Sequence, residues 1–308
     1  MKEPGRPFRA VAADYVQISK PRILILLLMV AWAAMFVAAR GWPDWRPFLA
    51  VTLAGTASVA ASGAFNNVIE RARDSRMTRT ASRAVAAGRI TPTAAALYAT
   101  TMTALSVAPL LYLNLTWAAA LTLAAIAYYV VIYTVVLKPS TPQNIVIGGF
   151  AGSFPALIGW TAIMGDLAWP ASAPAVILAL LVFLWTPAHF WSLALLYQKD
   201  YGAADFPMMP NIKGEVHTRR LILVYAALTA VASLALWPMP WLGFAESASW
   251  IYLAVAALLG GYLVVRSVAL LRKPTDRAYR SYFFFTIQYL GVLLLALMAD
   301  RVLLSAAA

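Results

Sequence analysis

Repeated apolar runs of about 20 residues restrict most strongly how this chain can fold. Hydrophobic residues make up 62% of the 308 residues, whereas charged residues make up only 12%. A helix of about 20 apolar residues crosses a hydrocarbon core of about 30 Å, and inside lipid only helices and closed barrels satisfy every backbone polar group. The pattern therefore predicts an all-α, polytopic membrane helical bundle.

Nine such runs are predicted to cross the membrane, and no linker or soluble domain separates them. Their predicted bounds are 22–39, 48–69, 93–113, 117–137, 144–164, 172–197, 219–237, 248–270 and 281–303. The N-terminal segment 1–21 contains acidic as well as basic residues and is followed by no cleavage pattern, so it is not interpreted as part of a signal peptide. We expect a single domain over 1–308, with the bundle at 22–303 around a central cavity that opens near the cytoplasmic side.

The basic residues are divided unevenly between the two sets of alternate loops. Of 24 Lys and Arg residues, 21 fall in the set that includes the N-terminus, and only Arg40, Arg46 and Arg301 fall in the other. The positive-inside rule therefore predicts a cytoplasmic N-terminus and an external C-terminus. The net charge of +12 is then explained by topology and attraction to anionic membrane lipid, so no nucleic-acid partner is expected. The absence of cysteine excludes disulfides, thiolate zinc sites and iron–sulfur clusters.

A polar cluster interrupts the apolar pattern at the end of the second run. Asn66, Glu70 and Asp74 are spaced by four residues, so on a helix they share one face. Oxygen ligands of this kind suit Mg²⁺, which takes one or two carboxylates and completes its shell with waters and substrate phosphates. Three arginines follow, at Arg76, Arg79 and Arg83. The guanidinium group of arginine binds two phosphate oxygens at once, so the cluster predicts a magnesium-dependent diphosphate site. The alternative is a solvated loop whose charges only orient the chain in the membrane.

A second acidic segment follows the sixth run. Asp200 lies four spans after the first cluster, so both are expected on the same side of the membrane. An ancestral four-helix repeat would bring Asp200 opposite Asp74 across the cavity. Asp205 is out of helical register with Asp200 and is a weaker candidate.

The sixth run also contains a histidine at membrane depth. His189 lies in the stretch 185–191, two residues after Pro187, and proline breaks are tolerated where they line a cavity. The imidazole is interpreted as an iron ligand for haem, a proton carrier beside a carbocation, or a hydrogen-bonding group to a neighbouring helix. Trp185 and Trp191 present π-faces to a cation or simply pack.

A run of small residues opens the fifth span. It contains Gly148, Gly149, Gly152 and Ser153. Small residues allow helices to approach closely, and they also leave room for a flat ligand. Close packing is the favoured interpretation.

These motifs resemble those of the UbiA superfamily of intramembrane prenyltransferases over nearly the whole chain. Asn66, Glu70 and Asp74 are similar to its first motif, an Asn followed at four-residue steps by two Asp, although the middle carboxylate here is Glu. The continuation of that motif is similar to Arg76-Met77, Arg79-Thr80 and Arg83. The signature stretches of the superfamily's farnesyl-transferring branch are similar to Tyr133-Thr134 through Lys138, Thr141-Pro142-Gln143-Asn144-Ile145, Gly148-Gly149, Pro155, Ile158-Gly159-Trp160, Trp185-Thr186-Pro187, His189-Phe190-Trp191, Asp200-Tyr201 and Pro207-Met208-Met209-Pro210.

The resemblance implies transfer of a farnesyl group from farnesyl diphosphate to a vinyl group of haem B, with water addition, giving haem O and diphosphate in a bacterial-type inner membrane. The implied catalytic residues are Asn66, Glu70, Asp74, Asp200 and His189, with Mg²⁺ on Glu70, Asp74 and Asp200. The implied diphosphate contacts are Arg76, Arg79, Arg83, Lys138 and Lys199, and the implied haem contacts are His189, Trp185 and Trp191.

Other functions and partners stay open at this point. The alternative acceptor is an aromatic quinone precursor or chlorophyllide, and the alternative of another class is a cation or metabolite transporter. A homodimer and an association with a haem A synthase are both compatible with the sequence.

Overall fold

A computed structural model describes residues 7–237 and 248–307, and every regular element in these ranges is helical. The α-helices are α1 (Phe8–Ile18), α2 (Pro21–Ala39), α3 (Trp45–Asp74), α4 (Pro92–Tyr112), α5 (Thr116–Ala127), α6 (Lys138–Ser140), α7 (Asn144–Gly148), α8 (Phe154–Met164), α9 (Ala173–Leu196), α10 (Gln198–Ala203), α11 (Met209–Lys213), α12 (Glu215–Leu234), α13 (Trp250–Arg272) and α14 (Asp276–Ala307). A π-helix, Tyr128–Leu137, joins α5 to α6, and a 3₁₀-helix, Gly149–Ser153, joins α7 to α8. Lys2 and Arg6, counted above among the N-terminal charges, lie outside the described residues.

Eight helical runs in the described part of the chain are long and apolar enough to cross a membrane. They are Pro21–Ala39, Trp45–Asp74, Pro92–Tyr112, Thr116–Ser140, Asn144–Met164, Ala173–Leu196, Trp250–Arg272 and Asp276–Ala306. The predicted seventh span, 219–237, corresponds to α12, which is not among the eight and carries Arg219 and Arg220 near its start. The membrane helical bundle is therefore confirmed, and the count of nine is not.

Small residues set the spacing of the helices. A Cβ on Gly159 of α8 would lie 2.1 Å from the backbone oxygen of Ala31 in α2, and one on Gly148 would lie 2.2 Å from the Tyr133 ring. The Ser153 hydroxyl donates a 2.8 Å hydrogen bond to the backbone oxygen of Ala179 in α9. The small residues at the start of the fifth span therefore serve close helix packing, as favoured from the sequence.

The π-helix brings three side chains toward α3. Its wider turn is visible in the hydrogen bond from the backbone N–H of Lys138 to the backbone oxygen of Tyr133, five residues earlier. The Thr134 hydroxyl likewise donates to the backbone oxygen of Tyr129 at 2.9 Å. π-Helical turns are rare and often occur at functional sites. Here they place Tyr129, Tyr133 and Thr134 beside the polar end of α3.

The short helix α1, which the sequence did not predict, anchors the connection between α3 and α4. Asp14 accepts a 3.0 Å hydrogen bond from Nε of Arg89, and Gln17 Oε1 accepts one of 2.8 Å from the backbone N–H of Ala84. The connecting segment 75–91 contains the predicted diphosphate-binding arginines. Helix α1 therefore helps to fix their position.

Candidate active site

The predicted polar face of α3 is present and buried. Helix α3 continues to Asp74, so Asn66, Glu70 and Asp74 follow one another at single-turn intervals along it. Their exposed fractions are only 2%, 3% and 2%. Buried carboxylates are costly unless they are paired, and both are paired here.

Each carboxylate of α3 has its own cation. Lys138 Nζ lies 2.5 Å and 2.7 Å from the two carboxylate oxygens of Glu70. Arg83 Nη1 donates to both carboxylate oxygens of Asp74, at 2.9 Å and 2.7 Å. The structure therefore brings together Glu70, Asp74, Arg83 and Lys138, which lie in three separate stretches of sequence.

Lys20 is a site residue that the sequence analysis treated only as an orienting charge. It lies between α1 and α2 with a left-handed backbone, φ 52°. Its Nζ donates to Asn66 Oδ1 at 2.8 Å and to the Tyr129 hydroxyl at 3.0 Å. Asn66 Nδ2 in turn donates to the Thr134 hydroxyl at 3.3 Å. Asn66 is thus held from both sides.

The pKa of Lys20 is lowered to about 7 because burial penalises the charged ammonium and Arg83 repels it. A lysine with such a pKa gains most from a nearby anion, which favours its charged form. The sequence did carry a signal for this residue, since Lys20 directly precedes the proline that begins the first span.

The second acidic segment contacts the loop that follows α3, so it lies at the same end of the bundle as the first cluster, but its partner is Arg79 and not the predicted Asp74. Asp200 Oδ2 accepts a 3.0 Å hydrogen bond from the backbone N–H of Arg79. The Arg79 guanidinium donates to the Tyr201 hydroxyl at 3.1 Å and lies over the rings of Tyr197 and Tyr201, 5.1 Å and 5.6 Å from their centroids. Burial raises the pKa of Tyr201, so its hydroxyl stays protonated at neutral pH.

The three predicted metal ligands do not form one cluster. In the described residues, no three His, Asp or Glu side chains come together as a metal-binding group. Glu70 and Asp74 pair with cations, and Asp200 accepts from a backbone amide. The residues nevertheless fit Mg²⁺, because that ion typically uses only one or two protein carboxylates, and Glu70 and Asp74 supply two on one buried helix face.

Two predicted diphosphate contacts lie at the edge of the site. Arg76 Nη1 forms a 2.8 Å salt bridge with Asp205, and both side chains are largely exposed. Lys199 is exposed on α10. From the predicted set, the partly buried basic residues of the site are therefore Arg83 and Lys138, and Arg79 is exposed but held by Tyr201.

His189 lies between two aromatic rings. Trp185 stacks on it at 4.3 Å between centroids and Phe283 of α14 at 4.5 Å. The Nδ1 atom is 2.8 Å from the Thr286 hydroxyl, which donates to the backbone oxygen of Phe283 at 2.7 Å. Because that hydroxyl has one proton, it accepts from Nδ1–H, and Nε2 is left as the unprotonated nitrogen.

Trp191 does not share this cluster. It is fully buried and meets Tyr225 of α12 edge-on at 5.4 Å between centroids. Trp185, in contrast, donates from Nε1 to the backbone oxygen of Thr286 at 2.9 Å and stacks on His189. The structure thus joins Trp185 to His189 and places Trp191 in the core between helices.

Sequence comparison matches residues 26–288 to the UbiA prenyltransferase family. The protoheme IX farnesyltransferase of Gloeobacter violaceus is 42% identical over 298 residues, which cover 96% of this chain and 94% of that protein. That of Sinorhizobium fredii is 43% identical, over 94% of this chain and 89% of the relative. The Thermus thermophilus protein of the same name is 41% identical, and the aligned region covers only 46% of its length.

Solved structures share the fold. A digeranylgeranylglyceryl phosphate synthase has a TM-score of 0.73 at 16% identity, covering 94% of this chain and 98% of that one. A UbiA homologue from Aeropyrum pernix has a TM-score of 0.69 at 15% identity, covering 92% and 98%. A UbiA homologue from Archaeoglobus fulgidus, bound to GPP and Mg²⁺, has a TM-score of 0.64 at 14% identity, covering 93% and 99%.

Proposed function

The chain belongs to the UbiA prenyltransferase family, and on this premise we propose that it transfers a farnesyl group from farnesyl diphosphate to a vinyl group of haem B. In the reaction the allylic C–O bond breaks and its electron pair leaves with diphosphate. The vinyl carbon forms the new C–C bond, and water adds to the resulting cation with loss of a proton. The products are haem O and diphosphate.

One observation carries the class of reaction: two buried carboxylates on one face of α3, each in contact with a cation from another part of the chain. This arrangement provides acidic metal ligands beside basic phosphate ligands, which a diphosphate substrate needs. The haem acceptor is inferred from two relatives that are named protoheme IX farnesyltransferases. They are 42% and 43% identical to this chain over nearly its whole length. These names favour haem over a quinone precursor or chlorophyllide, and family membership disfavours a transporter.

Glu70 and Asp74 are the residues that would hold Mg²⁺, with Asp200 as the third candidate. The ion supplies positive charge that stabilises the departing diphosphate. Support for this cofactor comes from the donor set on α3 and from the fold neighbour that was solved with GPP and Mg²⁺.

The basic residues around the carboxylates bind and orient the diphosphate. Arg83 and Lys138 lie against Asp74 and Glu70, so they are within reach of phosphate oxygens that approach the same carboxylates. Arg79 is held in place by Tyr201, and Lys20 adds a positive charge when an anion is near. Fixed positive charges of this kind stabilise the negative charge that develops on the leaving group.

We assign the haem acceptor to the face of the bundle that contains His189. The hydrogen bond from Nδ1 to Thr286 and the two flanking rings fix the imidazole orientation. The unprotonated Nε2 then contacts the haem, as a ligand to its iron or as the base near the vinyl group.

We further infer that the N-terminus is cytoplasmic and the C-terminus external. The diphosphate site lies at the end of the bundle where α3 and α9 end, which is also the end where α13 finishes in Arg272 and Lys273. The strong excess of basic residues in this set of loops supports a cytoplasmic position for that end.

The decisive experiment is to incubate the purified protein with haem B, Mg²⁺ and labelled farnesyl diphosphate, and to look for haem O by mass spectrometry. We expect labelled haem O and its loss when Mg²⁺ is removed. Prenylation of an aromatic quinone precursor, with haem B unchanged, would contradict the proposed acceptor but keep the reaction class. Unchanged farnesyl diphosphate with every acceptor would contradict both.

A further inference from the structure

An arginine lies inside a membrane-spanning helix without an acidic partner. Arg266 belongs to α13, within the span Trp250–Arg272. Among residues 7–237 and 248–307, no carboxylate lies within 4.0 Å of its guanidinium. A charged side chain in a span is costly and normally marks a site or a partner, so this charge requires an explanation.

Neutral groups hold the guanidinium in one place. It donates to the Ser281 hydroxyl of α14 at 2.8 Å and to the Tyr262 hydroxyl at 3.3 Å. It also lies over the rings of Phe285 and Tyr262, 5.1 Å and 5.6 Å from their centroids. These contacts orient the guanidinium in the groove between α13 and α14. They leave its charge uncompensated and some of its five N–H donors free.

The position of Arg266 along the bundle matches the depth of lipid phosphates. It lies six residues before the end of α13, which is about 9 Å along the helix axis. Ser281 lies five residues after the start of α14, or about 7.5 Å. The headgroup layer occupies roughly 5–8 Å on each side of the hydrocarbon core. With the ends of α13 and α14 set at the outer boundary of that layer, the guanidinium lies near its inner edge.

Further basic residues lie at the same end of α13 and α14 as Arg266. Arg277 is four residues before Ser281 and shares its face of α14, and Lys273 is seven residues after Arg266. Both are exposed, as is the neighbouring Arg280. Positive charges are thus stacked from the helix ends down to the depth of Arg266.

Apolar side chains continue the groove toward the other end of the bundle. Exposed large apolar residues on α13 and α14 include Leu258, Tyr262, Val265, Phe284, Val292 and Leu295. A surface with a basic top and an apolar wall below it matches one molecule that carries a phosphate and long acyl chains. The basic part lies toward the helix ends and the apolar part toward the middle of the bundle, which is the order of headgroup and acyl chains in a lipid of that leaflet.

We propose that the groove between α13 and α14 binds an anionic phospholipid, whose phosphate contacts Arg266 and Arg277. This assignment is independent of the proposed activity, because none of these residues belongs to the diphosphate site. Basic pockets between transmembrane helices are known to hold anionic headgroups. The guanidinium fork provides the directional contact that a generally basic surface lacks.

The test measures binding of phosphatidylglycerol to the purified, full-length protein by native mass spectrometry. The matched control is Arg220→Gln, since Arg220 is an exposed arginine at the same end of the bundle, on α12. We expect Arg266→Gln to weaken binding about fivefold, the equivalent of about 1 kcal/mol for one basic residue at a membrane surface. Arg220→Gln should retain wild-type binding.

Further results decide the assignment. Arg266→Lys keeps the charge without the fork, so it is expected to bind with intermediate affinity and remains informative if the Gln variant does not fold. Wild-type binding in both Arg266 variants, or an equal loss in Arg220→Gln, would overturn the site. Displacement of the lipid by an equal concentration of inorganic phosphate would show that free phosphate, not lipid, is the ligand. Equal binding of zwitterionic phosphatidylcholine would contradict selection for an anionic lipid.

Discussion

The Lys138 ammonium contacts both carboxylate oxygens of Glu70, at 2.5 Å and 2.7 Å, across 68 residues of sequence. Glu70 is buried on α3, and Lys138 begins the short helix that follows the π-helix. The pair therefore ties the carboxylate helix to the fourth span at the centre of the proposed diphosphate site. We therefore expect both folding and catalysis to depend on this pair.

Replacement of Lys138 should destabilise the protein. Lys138→Gln leaves the Glu70 carboxylate buried without a cation, and breaking a buried pair in this way typically costs about 3–5 kcal/mol. Thermal unfolding in detergent is the measurement. The double variant Lys138→Gln with Glu70→Gln removes both charges and should regain most of the lost stability, yet remain inactive. A double variant as unstable as the single one would contradict this account.

Asp74→Asn should lower turnover by about 10²- to 10³-fold, the usual effect of losing one electrostatic group of an active site. The change removes the charge of a proposed Mg²⁺ ligand with almost no change in volume. Haem O formation against Mg²⁺ concentration is the measurement. Asp166→Asn, at an exposed acid in the loop before α9, is the control and should behave as wild type. Normal Mg²⁺ dependence in Asp74→Asn would exclude its role as a ligand.

Arg83→Lys should weaken farnesyl diphosphate binding. Because lysine lacks the planar fork, we expect a dissociation constant roughly tenfold higher, the equivalent of about 1.4 kcal/mol. Equilibrium binding of labelled farnesyl diphosphate measures this directly. Arg71→Lys changes an exposed arginine of α3 and should leave the constant unchanged. If Arg83→Lys also binds normally, Arg83 serves only to pair with Asp74.

Reporter fusions should reveal the orientation of the bundle. From the 21 basic residues on one side and three on the other, a reporter after Ala308 should be active only outside the cytoplasm. One inserted near Ser82 should be active only inside. The reverse pattern would place the diphosphate site on the external side.

His189→Ala should impair haem-dependent turnover and change the Soret spectrum of added haem B. Farnesyl diphosphate binding should stay near normal. His189 lies seven residues before the end of α9, which is about 10 Å along the helix axis from the end of the bundle that contains the diphosphate site. Thr286→Val is the companion variant. It removes the hydrogen bond to Nδ1, so haem-dependent turnover should fall, but less than in His189→Ala. Normal turnover and an unchanged spectrum in His189→Ala would make this a structural histidine.

The sequence by itself determined the class of fold and the first half of the site. Long apolar runs leave only a helical bundle, because backbone groups must be satisfied inside lipid. Asn66, Glu70 and Asp74 share a face because helical periodicity is a local property, so their alignment on one face followed from spacing alone. Counting spans predicted that Asp200 and the first cluster lie at the same end of the bundle, but it did not predict the contact with Arg79.

Tertiary structure alone decided which charges meet. Nothing local links Lys138 to Glu70 or Lys20 to Asn66, since these contacts depend on how a π-helix and a left-handed residue direct chains from other spans. The same holds for the rings around His189, one of which comes from α14. A buried charge pairs with an opposite charge that lies close to it in the folded protein. Periodicity along one helix does not predict which residues of other helices lie that close.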